Sequence, residues 1–249
     1  MTHTDALDLL AFGAHPDDVE IVCGGLVHKM SSRGYRVGIC DLTRGEMGSR
    51  GDGSRREQEA EEARRILGAA LRVNLGLPDT GLSRADRAQL SAVVEVLRRH
   101  RPRMVVAPYW IDQHPDHEEA SALVTRAGFL AGLKKYETPT PERHRPVVVL
   151  YSMYRRPFEA RLIVDVSGSL EAKLQAVAAH TTQTSVSTDD PTPTRLTGPE
   201  FLEGLRARAR FYGSRIGVAY GEAFASREEL GVDDPLQAFV GARADRLLG

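Results

Sequence analysis

Short apolar runs alternate with longer segments of helical spacing along most of this chain, and that alternation restricts the fold more than any other feature. Residues 7–12 (LDLLAF), 35–43 (YRVGICDLT), 71–77 (LRVNLGL) and 103–110 (RMVVAPYW) have the length and flanks of buried strands. Between and after them come residues 19–34, 54–69, 84–102 and 114–133, with apolar positions three and four apart. Gly34 is a stop signal for the first helix, Ser54 with Glu57 forms a capping box for the second, and Pro115 suits the first turn of the fourth. Strands joined by helices need crossovers, which makes them parallel and the connections right-handed. Two more strands are expected at 146–153 and 160–168, then a helix at 169–180, a polar loop at 181–194 and a helix at 198–217 that closes the chain. The expectation is a Rossmann-like α/β fold: a mostly parallel sheet flanked by helices, with its site at the carboxyl ends of the strands.

There are no repeats, no low-complexity tract and no linker, so residues 1–249 are read as one domain. Lys plus Arg (33) nearly cancels Asp plus Glu (34), which leaves no electrostatic footprint for nucleic acid or an anionic membrane. Cys23 and Cys40 fall in segments that read as buried helix and buried strand, which suits a reducing compartment. Residues 1–13 lack a basic segment followed by a long apolar one, and no run reaches the roughly 18 apolar residues of a membrane span. A cytoplasmic location is expected.

Four strand ends carry the chemistry: GAHPDDVE (13–20), DLTRGEMGSRGDG (41–53), LPDTG (77–81) and IDQHPDH (111–117). The first and last echo each other, with His15-Pro16-Asp17-Asp18 against His114-Pro115-Asp116-His117. Acids in a first helical turn are favoured by the macrodipole, so either cluster alone reads equally well as capping. Together they offer imidazoles and carboxylates on one rim, the donors of a catalytic zinc that keeps a position open for water. Adjacent Asp17 and Asp18 point different ways, so one can bind metal while the other faces the water. His114 and His117 share a helix face, so one can ligate while the other reaches over the open position. Asp116 is read either as the carboxylate orienting a ligating imidazole or as a cap. His3, His28, His100 and His144 read as surface positions.

The strings AFGAHPDDVEIVCGG, YRVGICDLTRGEMGSRGDGSRREQEAEEARRILGA and PYWIDQHPDHEEA resemble the LmbE/PIG-L family of zinc-dependent N-acetylglucosaminide deacetylases. LGLPDTGL and LTGPEFLEGLRARARFYGSRIGVAYGEAF are most similar to the branch that deacetylates N-acetylglucosaminyl malate in bacillithiol biosynthesis. The resemblance implies one zinc per chain held by His15, Asp18 and His117. It implies Asp17 as general base, His114 as the partner of the oxyanion or departing amine, and Arg56 as a holder of the sugar. It also implies a small-molecule N-acetylglucosamine conjugate as substrate and a homo-oligomer. The residue before His114, often arginine in that branch, is Gln113, a substrate-binding position whose lost charge Arg44, Arg50, Arg56 or Arg155 could replace. Some relatives place a tyrosine near the oxyanion; the position two before His114 is Asp112 here, so no tyrosine is assigned. AHTTQT (179–184) resembles a family segment that would bring His180 near the pocket, although a histidine ending a helix is also favoured by the dipole.

The rival readings are a deacetylase or amidase for another glucosaminide, a nucleotide-binding Rossmann protein, and a metal or sugar-binding module without turnover. The nucleotide reading lacks a G-x-G-x-x-G turn and sets two carboxylates where a pyrophosphate would lie. Against the module stand a spare base and a spare acid, Asp17 and His114.

Overall fold

In the computed structural model, which describes residues 6–48, 50, 53–186 and 193–236, the alternation becomes one seven-stranded sheet with helices on both faces. Strand β1 (Leu9–Gly13) shows why its sequence is continuously apolar. Leu10 and Phe12 pack into one core with α3 (Arg87–His100) and α4 (Pro115–Ala131). Leu9 and Ala11 pack into the opposite core with α1 (Asp18–Ser32), α2 (Gly53–Leu67) and α5 (Leu170–Ala179). A strand covered on both sides has no polar face to alternate with.

β1 lies between β2 (Val37–Thr43) and β4 (Met104–Pro108), and all three run parallel. Outside β2 lies β3 (Leu71–Leu77); outside β4 lies β5 (Val148–Ser152), both also parallel to their neighbours. The chain therefore leaves β1 toward one edge and resumes at β4 toward the other. Their carboxyl ends frame the crevice of a topological switch point, where such sheets bind ligands.

The structure corrects the sequence reading in several places. The helix α7 (Pro199–Ser214) does not close the chain: β7 (Gly221–Ser226) follows and inserts between β5 and β6 (Leu162–Asp165), antiparallel to both. β7 also braces the helix that begins at Asp18. Helix α1 breaks at Cys23 (φ −143°, ψ 20°), and Glu222 of β7 accepts the freed N–H groups of Gly25 (3.0 Å) and Leu26 (2.7 Å). Lys173 Nζ stands 2.5 Å from the same carboxylate, so this buried acid is paired as well as hydrogen-bonded. Ser54 lies inside α2 rather than capping it. The first four residues of the expected polar loop form α6 (Thr181–Thr184), while residues 187–192 lie outside the described residues. His28, His100 and His144 are half-buried rather than on the surface, His28 against Ser169 Oγ (2.9 Å) and His144 against the Pro102 carbonyl (2.7 Å); His3 lies outside the described residues. Both cysteines are buried and unpaired, and among the described residues no helix is long and apolar enough to cross a membrane.

Arg98, 1% exposed, is held by oxygens and not by an acid. It donates to the carbonyls of Ala131 (3.2 Å), Leu133 (2.7 Å) and Thr140 (3.2 Å) and to Thr138 Oγ1 (3.2 Å), tying the end of α4 to the strandless segment after it. Arg98→Ala would remove four hydrogen bonds at once, one of them to a buried carbonyl. It is expected to lower unfolding free energy by about 3 kcal/mol in urea titrations, against an ordinary surface arginine's few tenths. A loss below about 1 kcal/mol would mean that water replaces the guanidinium there.

Candidate metal centre

The loop after β1 is built to separate two neighbouring carboxylates. The Ala14 carbonyl accepts both the N–H and the Oγ1–H of Thr43 (2.9 Å each), which fastens the loop to β2. His15 N–H donates to Asp18 Oδ2 (2.9 Å), and Asp18 N–H donates back to the His15 carbonyl (3.3 Å). Asp17 between them has φ 136°, a conformation that costs a non-glycine residue about 1–3 kcal/mol. It is held there because its carbonyl accepts Ile21 N–H (3.0 Å) and because Arg56 Nη2 donates to the preceding Pro16 carbonyl (3.2 Å). Arg56 Nη1 also donates to the Gly45 carbonyl, at a turn where φ is +66° and a Cβ would collide with the guanidinium. Buried Arg56 thereby clamps the loops after β1 and β2 together.

The result is a division of labour. Asp18 faces two imidazoles, with Oδ2 3.5 Å from His15 Nδ1 and Oδ1 3.3 Å from His117 Nε2. Among the described residues the Asp17 carboxylate makes no hydrogen bond to protein, and it lines the cavity. On the β4 side His114 caps α4, its Nδ1 accepting Asp116 N–H (3.3 Å). His117, one turn on, points Nε2 at Asp18 and Nδ1 at Asp112 Oδ1 (3.2 Å). The three rings of His15, His114 and His117 cluster with centroids 4.8 to 5.5 Å apart.

One donor atom each from His15, Asp18 and His117 lies within 4.8 Å of the others, a group that could hold a metal ion. The other nitrogen of each imidazole faces a carboxylate: His15 Nε2 is 3.1 Å from Asp79 and 3.5 Å from Asp116, and His117 Nδ1 is 3.2 Å from Asp112. Backing carboxylates of this kind orient metal-ligating histidines and raise their basicity. His15, His114 and Asp116 form a second such group, but the Nδ1 of His114 is occupied by an amide, and Thr80 N–H (2.7 Å) already donates to Asp116. The donor set fits a divalent cation at His15, Asp18 and His117.

Electrostatics agree with that division. Burial disfavours charge on His15, but hydrogen bonds to Asp116, Asp18 and Asp79 outweigh it and hold the imidazole well above its ordinary range. His117 likewise is opposed by burial and carried up to about 9 by Asp18 and Asp112. Asp18 stays well below the carboxylate range: burial would raise it, and the facing His117 and His15 prevail. A metal bound here displaces protons from the histidines. Asp17 moves the other way, to about 6, through burial and then the adjacent Asp18, with Arg56, His180 and His15 pulling against them. His114 is lowered by burial and by the nearby His15 and His117, which favours its neutral form.

A cavity of about 460 Å³ opens over this cluster. His15, Asp17, Asp18, Arg56, Gln113, His114 and His117 line it, and Asp116 lies behind His15. Asp116 backs the His15 imidazole and holds the LPDTG loop through Thr80 N–H, while Asp112, given no role from the sequence, faces His117. Gln113, Arg56 and Arg155 line the cavity. Arg44 lines a separate depression with Asp41 and Arg72, and Arg50 is buried with its carbonyl accepting Gln183 Nε2 (2.9 Å). His180 is fully buried beneath the site, 3.6 Å from Glu20, and does not line the cavity. Lining residues that carried no assigned role include Asp79 in a loop already placed on the rim, Tyr154 with its ring edge-on to His117 (4.7 Å), and Arg195. Tyr154 and Arg155 follow β5 directly, so strand-end position was the available signal for both.

The family model described as PIG-L, GlcNAc-PI de-N-acetylase, matches residues 10–128. The chain is 31% identical to the diacetylchitobiose deacetylase of Thermococcus kodakarensis, across 72% of this chain and 71% of that one. It is 30% identical to the 1D-myo-inositol 2-acetamido-2-deoxy-alpha-D-glucopyranoside deacetylase of Rhodococcus erythropolis, across 72% of this chain and 82% of that one. Among solved structures, a conserved protein from Thermus thermophilus superposes with a TM-score of 0.81 at 40% identity, covering 91% of this chain and 98% of its own.

Proposed function

The chain belongs to the PIG-L deacetylase family, and from that footing we propose that it removes the acetyl group from an N-acetylglucosamine conjugate at a single zinc ion. The observation that carries this reading is the convergence of His15 Nδ1, Asp18 and His117 Nε2, with the Asp17 carboxylate beside them making no hydrogen bond to the described residues. His15, Asp18 and His117 would hold the zinc. When bound, the metal supplies Lewis acidity that acidifies water and polarises an acetamide carbonyl. Asp17, with its pKa near 6, is ionised at neutral pH yet basic enough to take the proton of the attacking water. The water oxygen bonds to the acetyl carbon, the C–N bond breaks, acetate leaves and the nitrogen departs as an amine after gaining a proton. Because Nδ1 of His114 accepts an amide N–H, the proton of the neutral ring sits on Nε2. His114 therefore serves as a hydrogen-bond donor to the oxyanion rather than as a fixed cation, and the proton that Asp17 takes from the water is the one passed to the departing nitrogen. Arg56 acts by clamping the loops that carry Asp17 and also by presenting its edge to the sugar.

The proposed substrate is N-acetylglucosaminyl L-malate, as in bacillithiol biosynthesis, with residues 1–249 acting as one deacetylase domain. Cationic side chains at the cavity mouth support an acidic aglycone. The test is amine release from that conjugate and from free N-acetylglucosamine, using protein as isolated, after chelation and after zinc is restored. Chelator-sensitive turnover of the malate conjugate well above the free sugar is expected. Metal-dependent turnover of other glucosaminides alone would discard malate, and no turnover of any acetamide by zinc-loaded protein would discard deacetylation.

A further inference from the structure

We infer that Arg195 and Arg155 form the subsite that selects an anionic aglycone, with Arg195 presented by a short strap whose backbone is fixed from two sides. This rests on the deacetylase reading above and extends it to the residues that choose the substrate.

The inference comes from the charges lining the cavity. Asp18, Asp79 and Asp112 face His15 and His117. Asp79 also accepts Met47 N–H (2.8 Å), and Asp112 accepts His114 N–H (2.9 Å). Asp17 is the base. Arg56 is engaged by the carbonyls of Gly45 and Pro16. Two charged lining residues are left, and both are exposed cations: Arg155, which lies 5.8 Å over the Tyr154 ring, and Arg195. Among the described residues neither has a carboxylate partner. The acids of the cavity face the histidines or act as the base, so both guanidiniums are left to solvent or to an anionic group of the ligand. An anionic group on the aglycone would supply the charge complement that these two cations lack.

Arg195 is also preorganised. On one side, Thr194 Oγ1 donates to the Gln183 carbonyl (2.5 Å), and Thr194 N–H donates to Thr197 Oγ1 (2.8 Å). On the other, Leu196 is 8% exposed and packs with Ile21, Leu174 and Val177. The segment that Thr194 binds is itself anchored. Glu59, one turn after Arg56 on α2, accepts Thr181 Oγ1 (2.6 Å), Thr182 N–H (2.8 Å) and Thr182 Oγ1 (2.7 Å). One helix thus fixes the sugar end of the cavity through Arg56 and the aglycone wall through Glu59. Only the side chain of Arg195 has to be ordered by the ligand, which keeps the entropic cost of recognition low.

The experiment compares kcat/KM for three N-acetylglucosaminides: the malate glycoside, the 1-phosphate and the neutral methyl glycoside. It is run on zinc-loaded wild type, Arg195→Gln and Arg155→Gln. Wild type should prefer an anionic substrate over the methyl glycoside, and that ratio should fall about tenfold or more in each variant, as expected for losing a charge-assisted hydrogen bond. The better of the two anionic substrates identifies carboxylate or phosphate as the source of the charge. A wild type without such a preference, or variants that lose both substrate types in proportion, would overturn the subsite and leave deacetylation intact. Should no glycoside turn over, calorimetric binding of the malate and methyl glycosides still decides the point, since equal affinity would overturn it.

Discussion

Asp17→Asn is expected to lower kcat for acetate release by about 10³-fold, the middle of the range for a lost general base, while zinc content stays at one ion per chain. Asparagine is nearly isosteric and tolerates positive φ better than most residues, so the unusual backbone at φ 136° should survive the change. The amide cannot take a proton, and among the described residues the Asp17 carboxylate makes no protein hydrogen bond whose loss would disturb the fold. Metal analysis and kinetics on the same preparation make the test clean. If zinc is lost together with activity, Asp17 is a ligand or a structural support, and the division of labour between it and Asp18 is wrong. If kcat falls less than about tenfold, another group is the base.

His117→Ala should have the other large effect, and by a different route. It removes the donor atom 3.3 Å from Asp18 Oδ1 and leaves two protein ligands where a catalytic zinc uses three. Activity is expected to fall at least 10³-fold along with stoichiometric zinc, and chelation of wild type should reproduce that loss. Asp112→Asn grades the same argument. It weakens the carboxylate facing His117 Nδ1 and should reduce zinc affinity by about 10–100-fold, with activity restored by excess metal. A His117→Ala protein that keeps both its zinc and its turnover would place the metal elsewhere, with the His15, His114 and Asp116 group the first alternative.

Much of the sheet was legible because a buried strand and an amphipathic helix leave different periods in a sequence. Six of the seven strands are found where apolar runs predicted them. β7 carries no such mark. Gly221, Ala223 and Ala225 occupy half of GEAFAS, residues with little preference for a strand, and its conformation is set by pairing with β5 and β6 on either side. With it came Glu222, the acid that repairs the break in α1, which no local pattern announces.

The site divides along the same line. His15, Asp17, Asp18, His114 and His117 could be read in advance because each cluster is a local string at the end of a predicted strand, and local spacing decides which neighbours diverge. The carboxylate behind His117 could not. On a helix, Asp116 is rotated about 100° from its neighbour, so it turns to His15. Asp112, in the loop before the cap, is drawn back over the first turn by accepting His114 N–H. Asp79, Tyr154 and Arg195 reach the cavity from three further segments with no spacing to connect them. Donor types and their local order are properties of the chain, because bond geometry sets them within a turn or two. Which donors face one another is decided by strand order, since only the adjacency of β1 and β4 brings residues about a hundred positions apart within 3.3 Å.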